Sequence, residues 1–308
     1  MNKKTYLIEK AEKGLTIQQY LKQIAGFSNA QIRSMKFTEN GICLGGQRAR
    51  VTTRLSEGDV LEVLLETKNS SSAHLLSFEQ MPDILYEDAD VIAVNKPAGM
   101  AVHPSHGHYQ DTLANQLAYY FRKNTQQVEI HSIGRLDLET SGIVLFAKHR
   151  AAAARLSRQR EDGRLQKTYL AICSGIFAEK NGTLNGAIAP LPGSLMKMCV
   201  SKDGKTAVTH YQVQKQYMEA ALVQLTLETG RTHQIRVHMA DAGHPLIGDR
   251  LYFADTDQKA DVDAENCFTG IKRAALHASR ICFYQPFEGK RITVEAPFPE
   301  DMKKCLFR

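Results

Sequence analysis

The sequence lacks the features that mark several common classes of protein. Its 6 cysteines are widely separated and none forms a CxxC pair, so neither zinc-ligand spacing nor a disulfide framework is indicated. No apolar run approaches the roughly 20 residues that a transmembrane helix needs. The first ten residues, MNKKTYLIEK, lack the apolar core of a signal peptide. Neither GxGxxG nor a Walker loop occurs. We therefore expect a cytoplasmic protein that uses no cofactor and contacts no membrane.

Charge and length exclude few classes of protein. The chain has 308 residues, enough for two domains, and a formal net charge of +6. This mild excess of cations suits a polyanionic partner, although many enzymes of small molecules are equally basic. The motif HPSHGH contains three histidines, at positions 103, 106 and 108. Because no cysteine or acidic cluster accompanies them, we expect a polar loop and no metal site.

A serine-rich stretch without periodicity, residues 66–82, divides the chain. We expect a small N-terminal domain at residues 1–70, a linker at 71–82 and a larger domain at 83–308. We also expect the protein to be a monomer.

The N-terminal part predicts two short helices followed by small antiparallel strands. TIQQYLKQIA and SNAQIRSMKF have helical periodicity, with Ser28 as a candidate N-cap, and residues 40–65 alternate apolar and polar positions around glycine turns. Over residues 14–66 this order resembles the alpha-L RNA-binding motif. The resemblance implies that cations on this unit contact RNA phosphates, and a solvated basic face is the alternative reading. The candidate contacts are Lys36, Arg48, Arg50 and Arg54.

In the larger domain, predicted strands outnumber predicted helices and often follow one another directly. The strands include VIAV, QKTYLAICSG, TAVTHYQVQKQY, AALVQLTLETG and ITVEA, and the helices include DTLANQLAYYF and RAAAARLSRQRED. This order predicts an α+β fold, with a mixed and largely antiparallel sheet flanked by helices.

Four segments of the larger domain carry a resemblance to a known family. NKPAGMAVHP, GRLDLETSGIVLFAK, KTYLAICSG and LETGRTHQIRVHMADAGHPLIGD resemble, in order, the signature blocks of RluA-type pseudouridine synthases. The resemblance covers residues 83–300. It implies an enzyme that isomerises uridine in folded RNA, where the base leaves its ribose, turns over and reattaches through a carbon atom. Together with the alpha-L-like unit, it implies large-subunit ribosomal RNA as the partner, with transfer RNA as the alternative.

The same resemblance implies a catalytic centre of three residues. Asp137 matches the essential aspartate, which acts on the ribose either as a nucleophile or by abstracting a proton. Arg231 is expected to pair with Asp137, since a lone buried carboxylate tends to take up a proton and a guanidinium keeps it ionised. Tyr169 matches a tyrosine whose ring stacks on uracil and whose hydroxyl can transfer a proton.

Further residues are implied to bind the substrate. Ile235 would form an apolar wall, Arg135 would fill the gap left by an extruded nucleotide, and Lys167 would contact phosphate or orient a loop. Asn95 and Lys96 lie in the first block, where they either contact the substrate or only shape a turn.

Other interpretations stay open at this point. Asp137 and Arg231 could form a structural salt bridge, and Tyr169 and Ile235 could be ordinary core residues. The chain could be an RNA-binding or ribosome-assembly factor without activity, or an enzyme that hydrolyses nucleosides. The family usually has histidine where this chain has Gly134. A glycine there is expected to loosen the loop and to remove a side chain that could touch RNA.

Overall fold

The N-terminal part of the protein is a four-stranded antiparallel sheet covered by two helices. The computed structural model describes residues 3–65, 75–105, 107–126, 128–253 and 271–306. The sheet has the strand order β1-β4-β2-β3. The elements of this part are β1 (Lys3–Leu7), α1 (Ile17–Gln23), α2 (Asn29–Phe37), β2 (Ile42–Leu44), β3 (Gln47–Arg48) and β4 (Val60–Leu64).

Both N-terminal helices begin at a capping box. In α2 the Gln31 backbone N–H donates to Ser28 Oγ over 3.2 Å, and the Ser28 backbone N–H donates to Gln31 Oε1 over 2.8 Å. These bonds satisfy two N–H groups that have no partner inside the helix. Thr16 and Gln19 form the same arrangement at α1. The predicted N-cap at Ser28 is confirmed.

The larger part is built on a ten-stranded sheet with the main order β10-β13-β14-β9-β15-β8-β6-β5, where β16 pairs with β15 and β7 with β8. Every pairing is antiparallel except that of β8 with β15. The predicted α+β class with a mixed, largely antiparallel sheet is confirmed. Its ten strands are β5 (Asp83–Glu87), β6 (Val91–Lys96), β7 (His131–Ser132), β8 (Ser141–Ala147), β9 (Gln166–Ser174), β10 (Asn181–Asn185), β13 (Val208–Gln216), β14 (Ala220–Leu227), β15 (Leu276–Tyr284) and β16 (Arg291–Glu295). The strands β11 (Ile188–Pro190) and β12 (Met198–Val200) form a separate antiparallel pair.

Helices cover both faces of this sheet. Alternate residues of β8 point to opposite faces, as the pleat requires. Val144 and Phe146 join one buried cluster, which includes α3, and Ile143 and Leu145 join another, which includes α4. The residues of the candidate site are on the first face. The helices are α3 (Leu113–Lys123), α4 (Arg150–Glu161), α5 (Gln234–Asp241) and α6 (Glu300–Leu306).

The central strand β15 is the main element that sequence reasoning missed. Its sequence, LHASRICFY, places histidine, serine and arginine among the apolar residues, which hides the alternation of a strand. In the structure, His277 is buried beside Ser141, while Arg280 reaches the surface and pairs with Glu295. Tertiary contacts pair His277 Nδ1, Ser279 Oγ and the Arg280 guanidinium, while His277 Nε2 is buried without a hydrogen-bond partner among the described residues. The strand thus forms through long-range contacts despite its composition.

The N-terminal part rests against the larger part through apolar and ionic contacts. Lys4 Nζ lies 3.2 Å from the buried Asp90 carboxylate, and the Arg155 guanidinium lies 5.3 Å from the Phe27 ring centroid and 4.1 Å from that of Phe287. Such cation–π contacts add to the apolar packing.

The predicted linker can be followed only in part. Its residues 71–74 lie outside the described residues. Leu75 is buried in the cluster that contains α3, and its carbonyl accepts from Arg122. The division into domains at 1–70 and 83–308 stays a prediction. Within the described ranges, no helix combines the length and the apolar character needed to cross a membrane.

Candidate active site

Asp137 lies in the loop between β7 and β8, on a backbone that is held at several points. The Gly99 N–H and the Lys96 ammonium both donate to the Leu138 carbonyl, over 2.8 and 3.1 Å. The Ala274 N–H donates to Glu139 Oε2 over 3.1 Å. The Asp137 side chain itself is 30 % exposed. The loop therefore presents one carboxylate to solvent from a fixed position, as a reactive group requires.

Lys96 supports this loop from inside the protein. It is completely buried, and its ammonium donates to the carbonyls of Pro97, Met100 and Leu138 over 2.8, 2.8 and 3.1 Å. Burial, together with the positive charge of Arg273, lowers the pKa of Lys96 to about 7. All three donors are used within the protein, which favours the second of the two expectations for Lys96, that it shapes the turn. Asn95 likewise donates its amide to Asp83 on the neighbouring strand, over 2.9 Å.

The guanidinium beside Asp137 belongs to Arg236, and the expected pairing with Arg231 is wrong. Arg236 Nη1 lies 3.8 Å from Asp137 Oδ2. The exposed Arg231 instead donates from Nε to the Thr206 carbonyl over 3.0 Å. The reason is helix geometry: position 231 precedes α5, whereas position 236 lies in its first turn, directed at the protein interior.

Arg236 is held by a bidentate ion pair with Asp249. Its Nε and Nη2 each lie 2.7 Å from a carboxylate oxygen of Asp249, which is completely buried. Glu139 is a third carboxylate near the same group, at 3.8 Å. Burial alone would lower the pKa of Arg236, but the Asp249 carboxylate and the charges of Asp137 and Glu139 raise it above its ordinary value. Arg236 thus stays charged next to Asp137.

Tyr169 and Ile235 lie in the apolar cluster beneath this charged group. Tyr169 is buried in β9, between Leu225 on β14 and Ala278 on β15. Burial, and secondarily the negative charge of Asp137, raises the pKa of the Tyr169 hydroxyl far above its ordinary value. The phenol therefore stays protonated at neutral pH. Ile235 belongs to the same buried cluster, so the structure brings Tyr169, Ile235 and the Asp137 loop together.

His233 and Tyr252 were missed in the sequence. His233 is the N-cap of α5 and has φ = 55°, in the left-handed region that few non-glycine residues adopt. Its Nδ1 and the Tyr252 hydroxyl are 2.8 Å apart, and the Arg236 guanidinium lies 5.2 Å from the Tyr252 ring centroid. Burial lowers the pKa of His233. The strained backbone was not readable from the motif GRTHQIR, although the motif contains both His233 and Arg236.

The remaining predicted residues lie nearer the surface. Arg135 is exposed and Lys167 is half-buried. Burial, with the charge of Arg160, lowers the pKa of Lys167 to about 8. Gly134 has φ = 82°, so the loop takes a conformation that suits glycine, and the absence of histidine does not by itself indicate a loose loop.

The four cations predicted on the N-terminal part are all exposed: Lys36, Arg48, Arg50 and Arg54. Arg48 donates to the Lys36 carbonyl over 3.3 Å, and Arg54 donates to the Gly14 carbonyl over 2.8 Å.

Among the residues that the structure describes, no group of three or more His, Cys, Asp or Glu is placed to hold a metal ion. His106 of the motif HPSHGH lies outside those residues.

Comparison with known proteins agrees with this arrangement. Residues 90–241 match the family described as RNA pseudouridylate synthase. The chain is 36 % identical over 293 residues to the RNA pseudouridine synthase YjbO of Bacillus subtilis, covering 95 % of this chain and 98 % of that protein. It is 38 % identical over 267 residues to ribosomal large subunit pseudouridine synthase D of Neisseria meningitidis, covering 85 % of this chain and 67 % of that protein.

Solved structures give the same result. Human RNA pseudouridylate synthase domain containing 1 matches with a TM-score of 0.57 and 26 % identity, over 78 % of this chain and 90 % of that one. Human RNA pseudouridylate synthase domain containing 4, at 24 % identity and a TM-score of 0.60, supports the fold. The matched segment 90–241 includes the Asp137 loop, Tyr169 and Arg236. The chain therefore belongs to the RNA pseudouridine synthase family.

Proposed function

We propose that this enzyme isomerises specific uridines to pseudouridine in structured large-subunit ribosomal RNA, with Asp137 as the catalytic carboxylate. The observation that supports this most strongly is the placement of Asp137. It is partly open to solvent on a loop fixed by backbone hydrogen bonds, with a charged guanidinium 3.8 Å away. A carboxylate fixed in this way beside a cation is suited to act on a ribose whose base has been extruded.

The chemistry needs no co-reactant, because every atom of the nucleotide is retained. The bond between C1′ and N1 of uracil breaks, the base rotates, and a bond between C1′ and C5 forms. The proton lost from C5 is balanced by one gained at N1. Asp137 would start the sequence either by attacking C1′ or by taking a proton from the ribose. Both routes require an ionised carboxylate, and the charged Arg236 guanidinium lies 3.8 Å from it.

Tyr169 and Ile235 would hold the uracil while it turns over. The aromatic ring offers a stacking surface, and the apolar cluster around it excludes water from the reacting atoms. The raised pKa keeps the Tyr169 hydroxyl protonated at neutral pH, so it can donate a hydrogen bond to the uracil and can act as a base only after a neighbour accepts its proton. Arg135, exposed two residues before Asp137, would fill the space that the extruded nucleotide leaves.

Ribosomal RNA is proposed as the substrate on two grounds. One relative covering most of the chain is named as a ribosomal large subunit pseudouridine synthase. The N-terminal part also exposes four cations, Lys36, Arg48, Arg50 and Arg54, which would contact RNA phosphates. The site of action would then be the cytoplasm.

The test is to map pseudouridines in total RNA from cells with and without the gene, and in RNA treated with purified protein. We expect at least one pseudouridine in large-subunit ribosomal RNA to depend on the protein. A dependent site found only in transfer RNA would overturn the ribosomal assignment. Release of free uracil without pseudouridine would indicate a hydrolase, and binding of RNA with no change in any uridine would indicate an assembly factor.

A further inference from the structure

A gap between two cations lies beside Gly134, at the start of the loop that carries Asp137. A β-carbon built on Gly134 would lie 3.5 Å from Arg160 Nη1 and 3.9 Å from Lys167 Nζ. Both positive groups thus approach the same point, which in this chain is occupied only by a hydrogen atom of Gly134. A histidine at this position, as the family usually has, would direct its side chain into that space and would be strained at φ = 82°.

Neither cation has a partner of opposite charge among the described residues, whereas neighbouring cations do. Arg164, just past the end of α4, lies 2.7 Å from Asp162, and Arg280, on the strand next to Lys167, lies 2.7 Å from Glu295. Arg160 and Lys167 form no ion pair or hydrogen bond of this kind within the described ranges. Lys167 is half-buried, and its burial and the charge of Arg160 both disfavour its protonated form. An anion in the gap would relieve this repulsion.

The gap and the proposed catalytic group belong to the same loop. Lys167 lies two residues before Tyr169 on β9, but its partner on β15 is Ile281, which belongs to the buried cluster of α4, whereas Tyr169 belongs to the cluster of α3. Gly134 precedes Asp137 by three residues. An anion held by Lys167 and Arg160 would therefore lie at the start of the loop that carries Asp137.

We propose that Gly134, Arg160 and Lys167 form a binding site for one backbone phosphate of the RNA strand that flanks the target uridine. This inference rests on the proposed function. Phosphate is the anion that RNA carries at every nucleotide, and an arginine with a lysine supplies several charge-assisted donors to it. The absence of a side chain at position 134 gives a phosphate oxygen room between the two cations.

The experiment measures isomerisation of transcribed large-subunit ribosomal RNA by Lys167→Met and by Arg160→Ala, over a range of salt concentrations. Each variant should raise KM about tenfold, which corresponds to one charge-assisted contact, with kcat changed less than about twofold. The slope of log affinity against log salt should fall in magnitude by about 1. Arg158→Ala, which removes an exposed arginine from the same helix, is the matched control and should leave KM and the slope unchanged.

A second pair of variants tests the gap itself. Gly134→Ala should raise KM and reduce the slope of log affinity against log salt as Lys167→Met does, because a methyl group would occupy the phosphate-binding site. Gly163→Ala introduces similar backbone strain, at φ = 73°, where nothing lies within 4 Å, and should leave KM unchanged. Thermal unfolding of all variants shows that they are folded. Arg160 is exposed, so its removal should not affect folding.

Wild-type KM and salt slope in both Lys167→Met and Arg160→Ala would overturn the proposal, as would a loss confined to kcat. Failure of the proposed function would look different: the wild-type protein would form no pseudouridine. In that case the salt dependence of RNA binding, measured by fluorescence anisotropy, would still show whether the two cations hold a phosphate.

Discussion

Removing Arg236 should lower the free energy of unfolding, and its ion pair with Asp249 sets the size of the loss. Arg236→Leu leaves Asp249 as a completely buried carboxylate without its bidentate partner. Breaking one side of a buried ion pair costs about 3–5 kcal/mol. At about 2–4 °C per kcal/mol for a domain of this size, the melting temperature should fall by about 6–20 °C.

The double variant Arg236→Leu/Asp249→Asn separates this structural effect from an effect on catalysis. Asparagine removes the buried charge but keeps an oxygen for the Leu251 N–H, which Asp249 Oδ1 accepts at 3.0 Å. Much of the lost stability should therefore return. Activity should not return, because Asp137 still lacks the guanidinium that lies 3.8 Å away.

The size of the loss in activity follows from the charge separation. Two unit charges about 4 Å apart interact by about 4 kcal/mol at an effective dielectric constant of 20. Solvent around the partly exposed Asp137 reduces this to about 2 kcal/mol. The loss in rate should therefore be at most roughly 30-fold, because only the part of the interaction that is stronger in the transition state contributes. Thermal unfolding and initial rates of pseudouridine formation measure the two effects. A stable single variant would refute the buried ion pair, and a double variant with wild-type turnover would refute the role of Arg236 beside Asp137.

Three further predictions concern residues around the site. Tyr169→Phe should lower kcat by about 100-fold or more, the usual contribution of a general acid, with a melting temperature within about 4 °C of wild type; unchanged kcat would refute a role for the hydroxyl. The folded-state pKa of Lys96 is about 7 against an ordinary 10.5, so the unfolded chain binds more protons between these values. The free energy of unfolding of wild type relative to Lys96→Met should therefore rise from about pH 7 to pH 10 in denaturant titrations, and a constant or falling difference would contradict this. Gly142→Ala would place a β-carbon 2.3 Å from the Ala278 carbonyl oxygen. It should cost about 3 kcal/mol or more in thermal unfolding, whereas Gly163→Ala, in open space, should cost less than half as much.

Much of the fold could be predicted because local signals agree with tertiary structure. The capping residues of α2, the apolar run of β6 and the helical pattern of α3 each specify their element without help from distant residues. The strand β15 could not be predicted in this way. Several of its polar atoms have partners far away in sequence, such as Ser141 Oγ for His277 Nδ1, and no local pattern reports such partners.

The candidate site likewise combines residues that the sequence predicts with contacts that it does not. The resemblance to the family's signature blocks predicts Asp137 and Tyr169, and the structure places both at the candidate site. The ion-pair partner of Asp137 could not be assigned from the sequence, because Arg231 and Arg236 belong to one motif. Which of the two faces the carboxylate depends on where α5 begins. The role of Lys96 depends on three carbonyls, of which that of Leu138 lies 42 residues away. Sequence proximity carries no information about that contact.

The proposed reaction depends on the Asp137 carboxylate, and a matched pair of substitutions tests this dependence most directly. Asp137→Asn and Glu139→Gln each remove one negative charge that lies 3.8 Å from the Arg236 guanidinium, with almost no change in shape. The side-chain amide introduced by Glu139→Gln would keep an oxygen for the Ala274 N–H, so the loop should hold its position.

The measurement is pseudouridine formation in ribosomal RNA, alongside RNA affinity, for these two variants. We predict that Asp137→Asn forms no detectable pseudouridine while binding RNA within about threefold of wild type, and that Glu139→Gln retains at least about a tenth of the wild-type rate. Turnover by Asp137→Asn at the wild-type rate, or equal losses in both variants, would contradict the assignment of Asp137 as the catalytic group.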